Sequence, residues 1–294
     1  MQTAELVMEQ SSKPIIEAAI APAGIKTILF HVHDDDGLEG RMQAGLAIAR
    51  AFGAHLHLLH VTPIEAYTVV DAFATYVNAE LVEVLEEEAA KLKAKLEQQL
   101  ANEDVSWDYE EVTAGLMTRL IQRAALSDLV LTGREPHERE FGGPAVTLLG
   151  DMVHRIRTPI AVISEERHSF DPFGPAMIAW NGSHEAANAL RSAVPLLKLA
   201  SKVRMVTVEE HKDPQFPSTS ALEYLSRHGI HAELCEREQL ADSVEEELLD
   251  EVELDGSGYI VMGAYSHTRA GEFLFGGVTR SLLKKCPYSL VMAH

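Results

Sequence analysis

The sequence predicts an α/β protein made of two similar units in tandem, each a parallel sheet with helices on both faces. Three observations carry this expectation. Short apolar runs alternate with amphipathic helical stretches along the chain, the pattern of repeated βα units. The whole succession occurs twice, roughly 150 residues apart, and such self-similarity is the mark of an internal repeat. The strand runs are apolar at nearly every residue, as strands covered on both faces require.

In the first unit KTILFHVHDDDG (Lys26 to Gly37) is a buried-strand run ending in a turn. Leu38, Met42, Gly45, Ala49 and Phe52 then step by four and three along one helical face, and Gly53 is a natural stop. HLHLLHV (His55 to Val61) is the next strand. AELVEVLEEEAAKLKAKLEQQL is a long helix with Glu87 and Lys91 at supporting spacing. VSWDYEEV alternates as a strand, a helix follows over Leu116 to Ala125, and DLVLTG (Asp128 to Gly133) is a further strand. A helix and the strand TPIAVIS, introduced by Pro159, close the unit.

DPFGP (Asp171 to Pro175) reads as the linker, and PAMIAWNGSHEA (Pro175 to Ala186) restarts the pattern. Ser183 is placed as an N-cap, with Leu190, Val194 and Leu197 on the apolar stripe behind it. VRMVTV (Val203 to Val208), a shorter helix around SALEYLSRHG, HAELCER, a helix over Val244 to Val252 and YIVMG (Tyr259 to Gly263) follow in the same order. CPYSLVMAH, with Pro287 at the strand start, ends the chain. The expected organisation is an N-terminal tail over 1–24, a first domain over 25–168 and a second over 174–294.

With 294 residues, 46% hydrophobic and 24% charged, the composition is that of a soluble globular protein large enough for two domains. No apolar run approaches the roughly 20 residues of a membrane-spanning helix. The N-terminal patch PIIEAAIAPAG lacks a basic region before it, so no signal peptide is expected. A formal charge of −20, with 14 histidines counted as neutral, repels nucleic-acid phosphates and anionic lipid, which excludes nucleic acid and membrane surfaces as partners. Cys235 and Cys286 have neither number nor spacing for a disulfide framework or a metal site, so a reducing cytoplasm is the expected location.

The order of elements, LLHV after the second strand, DLVLTG and YIVMG before glycine-bearing loops and CP before the last strand together resemble the universal stress protein family, in its tandem-domain form. The resemblance covers residues 25–294. It implies a five-stranded, doubly wound parallel sheet in each domain and an intramolecular pseudo-dimer, joined partly through the final strands of the two domains. It also implies a stress-response binding or regulatory module rather than an enzyme, with an adenine nucleotide (ATP, ADP or AMP) as ligand in members that keep the motif Gly-x2-Gly-x9-Gly-Ser/Thr. The motif's physical logic is plain: glycines let backbone N–H groups and a helix N-terminus approach the phosphates, and the final hydroxyl adds a donor.

GAYSHTRAGEFLFGG (Gly263 to Gly277) is the second domain's version. Gly263 and Gly276 keep the spacing, Ser266 replaces the middle glycine and Gly277 replaces the hydroxyl residue. Ser266 fits only with a negative φ or with strain offset elsewhere. Asn181 stands where the family has Asp at the end of the first strand. The resemblance thus puts Asn181 and the backbone near Val208 beside a nucleoside, and Met262, Gly263, Ser266, Gly276, Gly277 and Val278 around phosphates. His267 and Arg269 could replace the lost donor electrostatically, while Glu272 would oppose a triphosphate. In the first domain Gly150 arrives four residues late after Gly133, Asp151 occupies the hydroxyl position, and Arg134, His137 and Arg139 are expected on a solvated loop.

Two further readings stay open. The first is a protein whose loops bind no nucleotide and whose pseudo-dimer acts through protein contacts, including those of a homodimer of the tandem chain. The second is a weak ATPase or a zinc-assisted hydrolase. His31 and His33 share one face of their strand and His55 and His57 one face of the next. Paired in register, these histidines could converge near Asp34 to Asp36 as a zinc site; as strand-end histidines bonded to backbone they bind nothing. His60 is read as structural and Cys286 as buried. The acidic runs Glu86 to Glu88 and Glu245 to Glu247 read as solvated helix faces.

Overall fold

The computed structural model describes residues 24–63, 68–70, 75–77, 79–134, 148–166, 170–208, 215–238, 243–264 and 277–294. Its first half runs β1 (Thr27–Val32), α1 (Leu38–Phe52), β2 (His55–Pro63), β3 (Thr68–Val70), β4 (Thr75–Val77), α2 (Ala79–Leu100), β5 (Ser106–Ala114), α3 (Leu116–Ala124), β6 (Leu129–Gly133), α4 (Leu148–Arg155) and β7 (Ile160–Ile163). The second half runs β8 (Ala176–Ala179), α5 (His184–Leu197), β9 (Val203–Val208), α6 (Ser218–Arg227), β10 (Ala232–Arg237), α7 (Val244–Asp255), β11 (Tyr259–Gly263), α8 (Gly277–Lys285) and β12 (Ser289–Ala293).

A strand apolar on both faces must be covered on both. Ten strands form one sheet in the order β10-β9-β8-β11-β12-β7-β6-β1-β2-β5. Each half is parallel within itself, and the halves meet through antiparallel pairing of β12 with β7, Leu290 opposite Val162 and Met292 opposite Ile160. The two halves therefore repeat one topology on either side of this seam. One apolar layer, with α1, α2, α5 and α6, covers one face, and a second layer, with α3, α4, α7 and α8, covers the other. Both layers contain residues of both halves.

Local signals act as the sequence suggests. Leu38, Met42, Gly45, Ala49 and Phe52 are all buried, and Gly53 ends α1 with φ 59°, a left-handed conformation that a Cβ would oppose. Ser183 caps α5, its hydroxyl accepting from the Ala186 amide at 3.1 Å. Described residues at both ends of the connection between the halves are anchored in the fold. Phe170 packs in the core against Tyr259, ring centroids 4.9 Å apart, and the Ser164 hydroxyl donates to the Pro287 carbonyl at 2.6 Å. The two-stranded β3–β4 sheet was not foreseen, because three-residue strands are too short for a period to show. The reading of Glu245 to Glu247 as a solvated face holds only in part, since Glu247 is buried.

Glu251 of α7 is buried over the outer strands of the second half. It accepts from Arg237 Nε at 2.7 Å and lies 3.3 Å from Arg204 Nη1. Burial alone would raise the pKa of neighbouring Asp255, but hydrogen bonds from Lys202 and Ser257 and the nearby Arg204 charge hold it below the usual carboxylate range. Replacing Glu251 by Leu leaves two guanidinium groups without their shared carboxylate. It is expected to cost about 3 kcal/mol in urea unfolding, the loss typical of a buried pair broken from one side. An unchanged midpoint would show that solvent screens the pair.

Candidate functional site

In an open α/β sheet, ligands settle beyond the carboxyl ends of the strands, where the strand order reverses. The chain has two such places, between β1 and β6 and between β8 and β11.

In the first, Arg41 decides the geometry. It is the fourth residue of α1 and only 1% exposed. Its Nη2 donates to the His33 carbonyl at 2.7 Å, and its Nη1 lies 2.7 Å from Asp35 Oδ1 and 4.0 Å from Glu165 Oε1. The guanidinium lies directly against Gly133, where a Cβ would come within 2.5 Å of Nη1. A small cavity remains, bounded by His31, Asp35, Arg41, Thr132, Arg134 and the first residues of α4.

His31 Nδ1 is 3.1 Å from Thr132 Oγ1. Burial first, then the charges of His33, Arg41 and His60, drives the His31 pKa from 6.5 down to about 3. Arg134 is not on a solvated loop as expected; its Nη2 reaches across the seam and donates to the Tyr288 carbonyl at 2.9 Å. Asp151, expected at a phosphate position, lies in the first turn of α4 and pairs with Arg155 at 3.0 Å. His137 and Arg139 lie outside the described residues.

The second place is built differently. Asn181, just beyond β8, is exposed, and its Oδ1 accepts from the Ser183 amide at 3.2 Å, shaping the turn into α5. Val208 ends β9 half-buried, whereas Met262 belongs to the core and can offer a ligand only its backbone. At Gly263 a Cβ would stand 2.4 Å from the Ala186 nitrogen, so only glycine allows the first turn of α5 to rest on β11. Superposing the buried stripes of the two helices, Leu38, Met42, Gly45 and Ala49 on Ala186, Leu190, Ala193 and Leu197, puts the small, buried Ala189 at the position that holds Arg41 in the first half. Gly277 opens α8, where an added Cβ would meet nothing within 4 Å among the described residues, and Val278 follows it. Ser266, His267, Arg269 and Gly276 lie outside the described residues.

The four histidines are not brought together. The register sets His55 opposite Thr27 and His57 opposite Leu29, leaving His31 and His33 further along the strands toward their carboxyl ends. His55 and His57 turn instead to Ser106, Asp108 and Glu110 of β5. Among the described residues, no three His, Cys, Asp or Glu side chains stand ready around a common point for a metal ion. Sequence reasoning missed Arg41, since an arginine in an amphipathic helix reads as solvated; Gly37 and Gly133, which admit it, were the only available signal. Cys286 is buried as expected, and burial pushes its thiol pKa up.

With this geometry in place, the chain can be set beside known proteins. Residues 24–155 match the model of the universal stress protein family. The fold is similar to that of a universal stress protein from Archaeoglobus fulgidus DSM 4304, with a TM-score of 0.66 at 13% identity over 91% of this chain and 97% of that one. It is also similar to a functionally unknown protein from Pseudomonas aeruginosa PAO1, with a TM-score of 0.56 at 16% identity over 92% of each chain. No curated protein matches the sequence. Among the described residues, no helix is long and apolar enough to cross a membrane.

Replacing Arg41 by Met keeps apolar bulk but strands Asp35 without its cation. It should cost about 3 kcal/mol, with part of the loss recovered when Asp35→Asn is added, read as a coupling energy in a double-mutant cycle. His31 gives a pH signature. Its folded pKa is depressed, so its contribution is complete above pH 6.5 and is lost as pH falls toward about 3, because only the unfolded chain takes up the proton. The slope is about 1.4 kcal/mol per pH unit. His31→Asn should remove that slope between about pH 6 and pH 4 in urea titrations; an unchanged slope would mean that His31 protonates inside the fold.

Proposed function

We propose that the chain is a tandem universal-stress-type binding module, with domains over 25–168 and 174–294, whose second domain takes an adenine nucleotide and whose first does not. The observation that carries this reading is the contrast at equivalent helix positions. Arg41 fills the space against Gly133, whereas its counterpart Ala189 carries neither charge nor comparable bulk, and an added Cβ at Gly277 would meet none of the described residues within 4 Å. The N–H groups at the start of α8 supply partial positive charge suited to a phosphate. Asn181 and the backbone near Val208 are assigned to the nucleoside side, with Met262, Gly263, Ser266, His267, Arg269, Gly276, Gly277 and Val278 assigned to the phosphates. No side chain is assigned a catalytic role, so the module acts by changing its surface or stability when the nucleotide binds.

The reading in which the chain works through protein contacts alone is favoured for the first domain, where Arg41 takes the ligand's place. A homodimer of the tandem chain belongs to that reading as a partner, and the cytoplasm remains the proposed compartment.

Heat-denatured, freshly purified protein should release ATP, ADP or AMP, resolved by anion exchange. Added nucleotide at 100 times its dissociation constant should stabilise the fold by about 2.7 kcal/mol, visible as a melting shift. Gly277→Glu places a carboxylate at the start of α8, where an added Cβ clashes with none of the described residues, and should abolish that shift while leaving the ligand-free melting temperature within a few degrees. Absence of both released nucleotide and melting shift at millimolar ATP, ADP and AMP would overturn the reading.

A further inference from the structure

The chain enters its first half beside a helix of the second. Gly24, the first described residue, lies so close to α5 that a Cβ there would stand 2.7 Å from Pro195 Cβ. The next residues fix the direction of the chain. Ile25 is buried in the core, and the Lys26 and Thr27 amides donate to Asp128 Oδ2 at 2.8 and 3.0 Å. Whatever precedes Gly24 therefore joins the fold at the amino ends of the strands, beside the end of α5 and away from the nucleotide cleft.

The surface there is apolar and incompletely covered. Leu199 and Ala200, in the turn after α5, are half-buried. Phe173 is 53% exposed although its main chain is held on both sides. Its N–H donates to Asp171 Oδ1 at 2.9 Å, and its carbonyl accepts from the Ser201 amide at 2.9 Å. A fixed backbone thus presents an aromatic ring to water, and a covering apolar group would gain by burying it. Arg191, Pro195 and Lys198 follow along α5 and its cap at steps of four and three, so two cations flank the apolar stripe. Both are exposed, in a chain whose net charge is −20.

We propose that residues 14–23, PIIEAAIAPA, dock on this surface as an intramolecular strap. The segment is apolar except for Glu17. Ile15, Ile16, Ala19 and Ile20 suit Phe173, Pro195 and Leu199, and Glu17 suits Arg191 and Lys198. The reach is sufficient. Four residues on from Ile20 stands Gly24, up to about 14 Å of extended chain. Leu199 lies only one helical turn, about 6 Å, beyond Pro195. Because the strap is tethered, its effective concentration at the surface is on the order of millimolar, so a contact too weak to hold a separate peptide holds this one. It ties the entry of the first half to a helix of the second, independently of the β7–β12 seam and of nucleotide binding.

Phe173→Trp places an indole on the surface as a reporter. Its emission wavelength and acrylamide quenching are read after subtracting the signal of Trp107 and Trp180 in the parent chain. In the full chain the added indole should emit to the blue and resist quenching. Removal of residues 1–22, or Ile16→Asp/Ile20→Asp in the intact chain, should shift the emission to the red and open the indole to acrylamide. The double substitution leaves every described residue unchanged, and far-ultraviolet circular dichroism is recorded alongside. The proposal is overturned if the indole is equally exposed in all three chains, or if it stays protected without residues 1–22. Protection of the shortened chain that rises with protein concentration would assign the surface to a second copy instead.

Discussion

The antiparallel pairing of β7 with β12 is the constraint from which the rest of the architecture follows. A five-stranded parallel sheet ending in an unpaired, fully apolar strand would present an aggregation-prone edge. Here each half closes the other's edge, and ten strands become one sheet. Burial of both faces then runs through the seam, with Ala161, Ile163, Val291 and Ala293 on one side and Ile160, Val162, Leu290 and Met292 on the other. The connection between the halves is fixed as a consequence. Ser164, next to Glu165, bonds to Pro287 and Ser289, and Phe170 is drawn into the core.

That fixed seam gives the two clefts different surroundings. Glu165 is held beside Gly37, where a Cβ would fall 2.6 Å from its Cγ, and so contributes to the enclosure around Arg41. Arg134 is drawn away to Tyr288. The first half thus holds an internal ion pair at this strand end, with Arg41 packed against Gly133. Its buried charge is tolerable because Asp35 and the His33 carbonyl pair with it in place. In the second half the counterpart position is Ala189, and the first turn of the helix sits directly on Gly263. The two halves keep one frame and differ in side-chain volume and charge at one helix position.

Much of this was legible in the sequence. Apolar strand runs, the helix stripe from Leu38 to Phe52, the Ser183 cap and the Gly53 stop each rest on short-range physics, and each appears where the residues place it. The repetition of the pattern disclosed the two halves, and the resemblance supplied their sheet order. What stayed hidden depends on register and on long-range partners. The convergence of four histidines failed because the pairing of β1 with β2 offsets them along the strands. Asp108 and Glu110 could not be joined to His57 before β5 was known to flank β2. Arg41 and Glu247 carry charge in helices that look solvated on one face, and only tertiary packing buries them.

The division of roles between the clefts is tested most directly by binding stoichiometry. Equilibrium dialysis of the full chain against radiolabelled ATP, at concentrations well above the dissociation constant, counts occupied sites without relying on stability. The account predicts a single nucleotide per chain, lost in Gly277→Glu. Two nucleotides per chain would contradict the role assigned to Arg41, and none would contradict the role assigned to the second cleft.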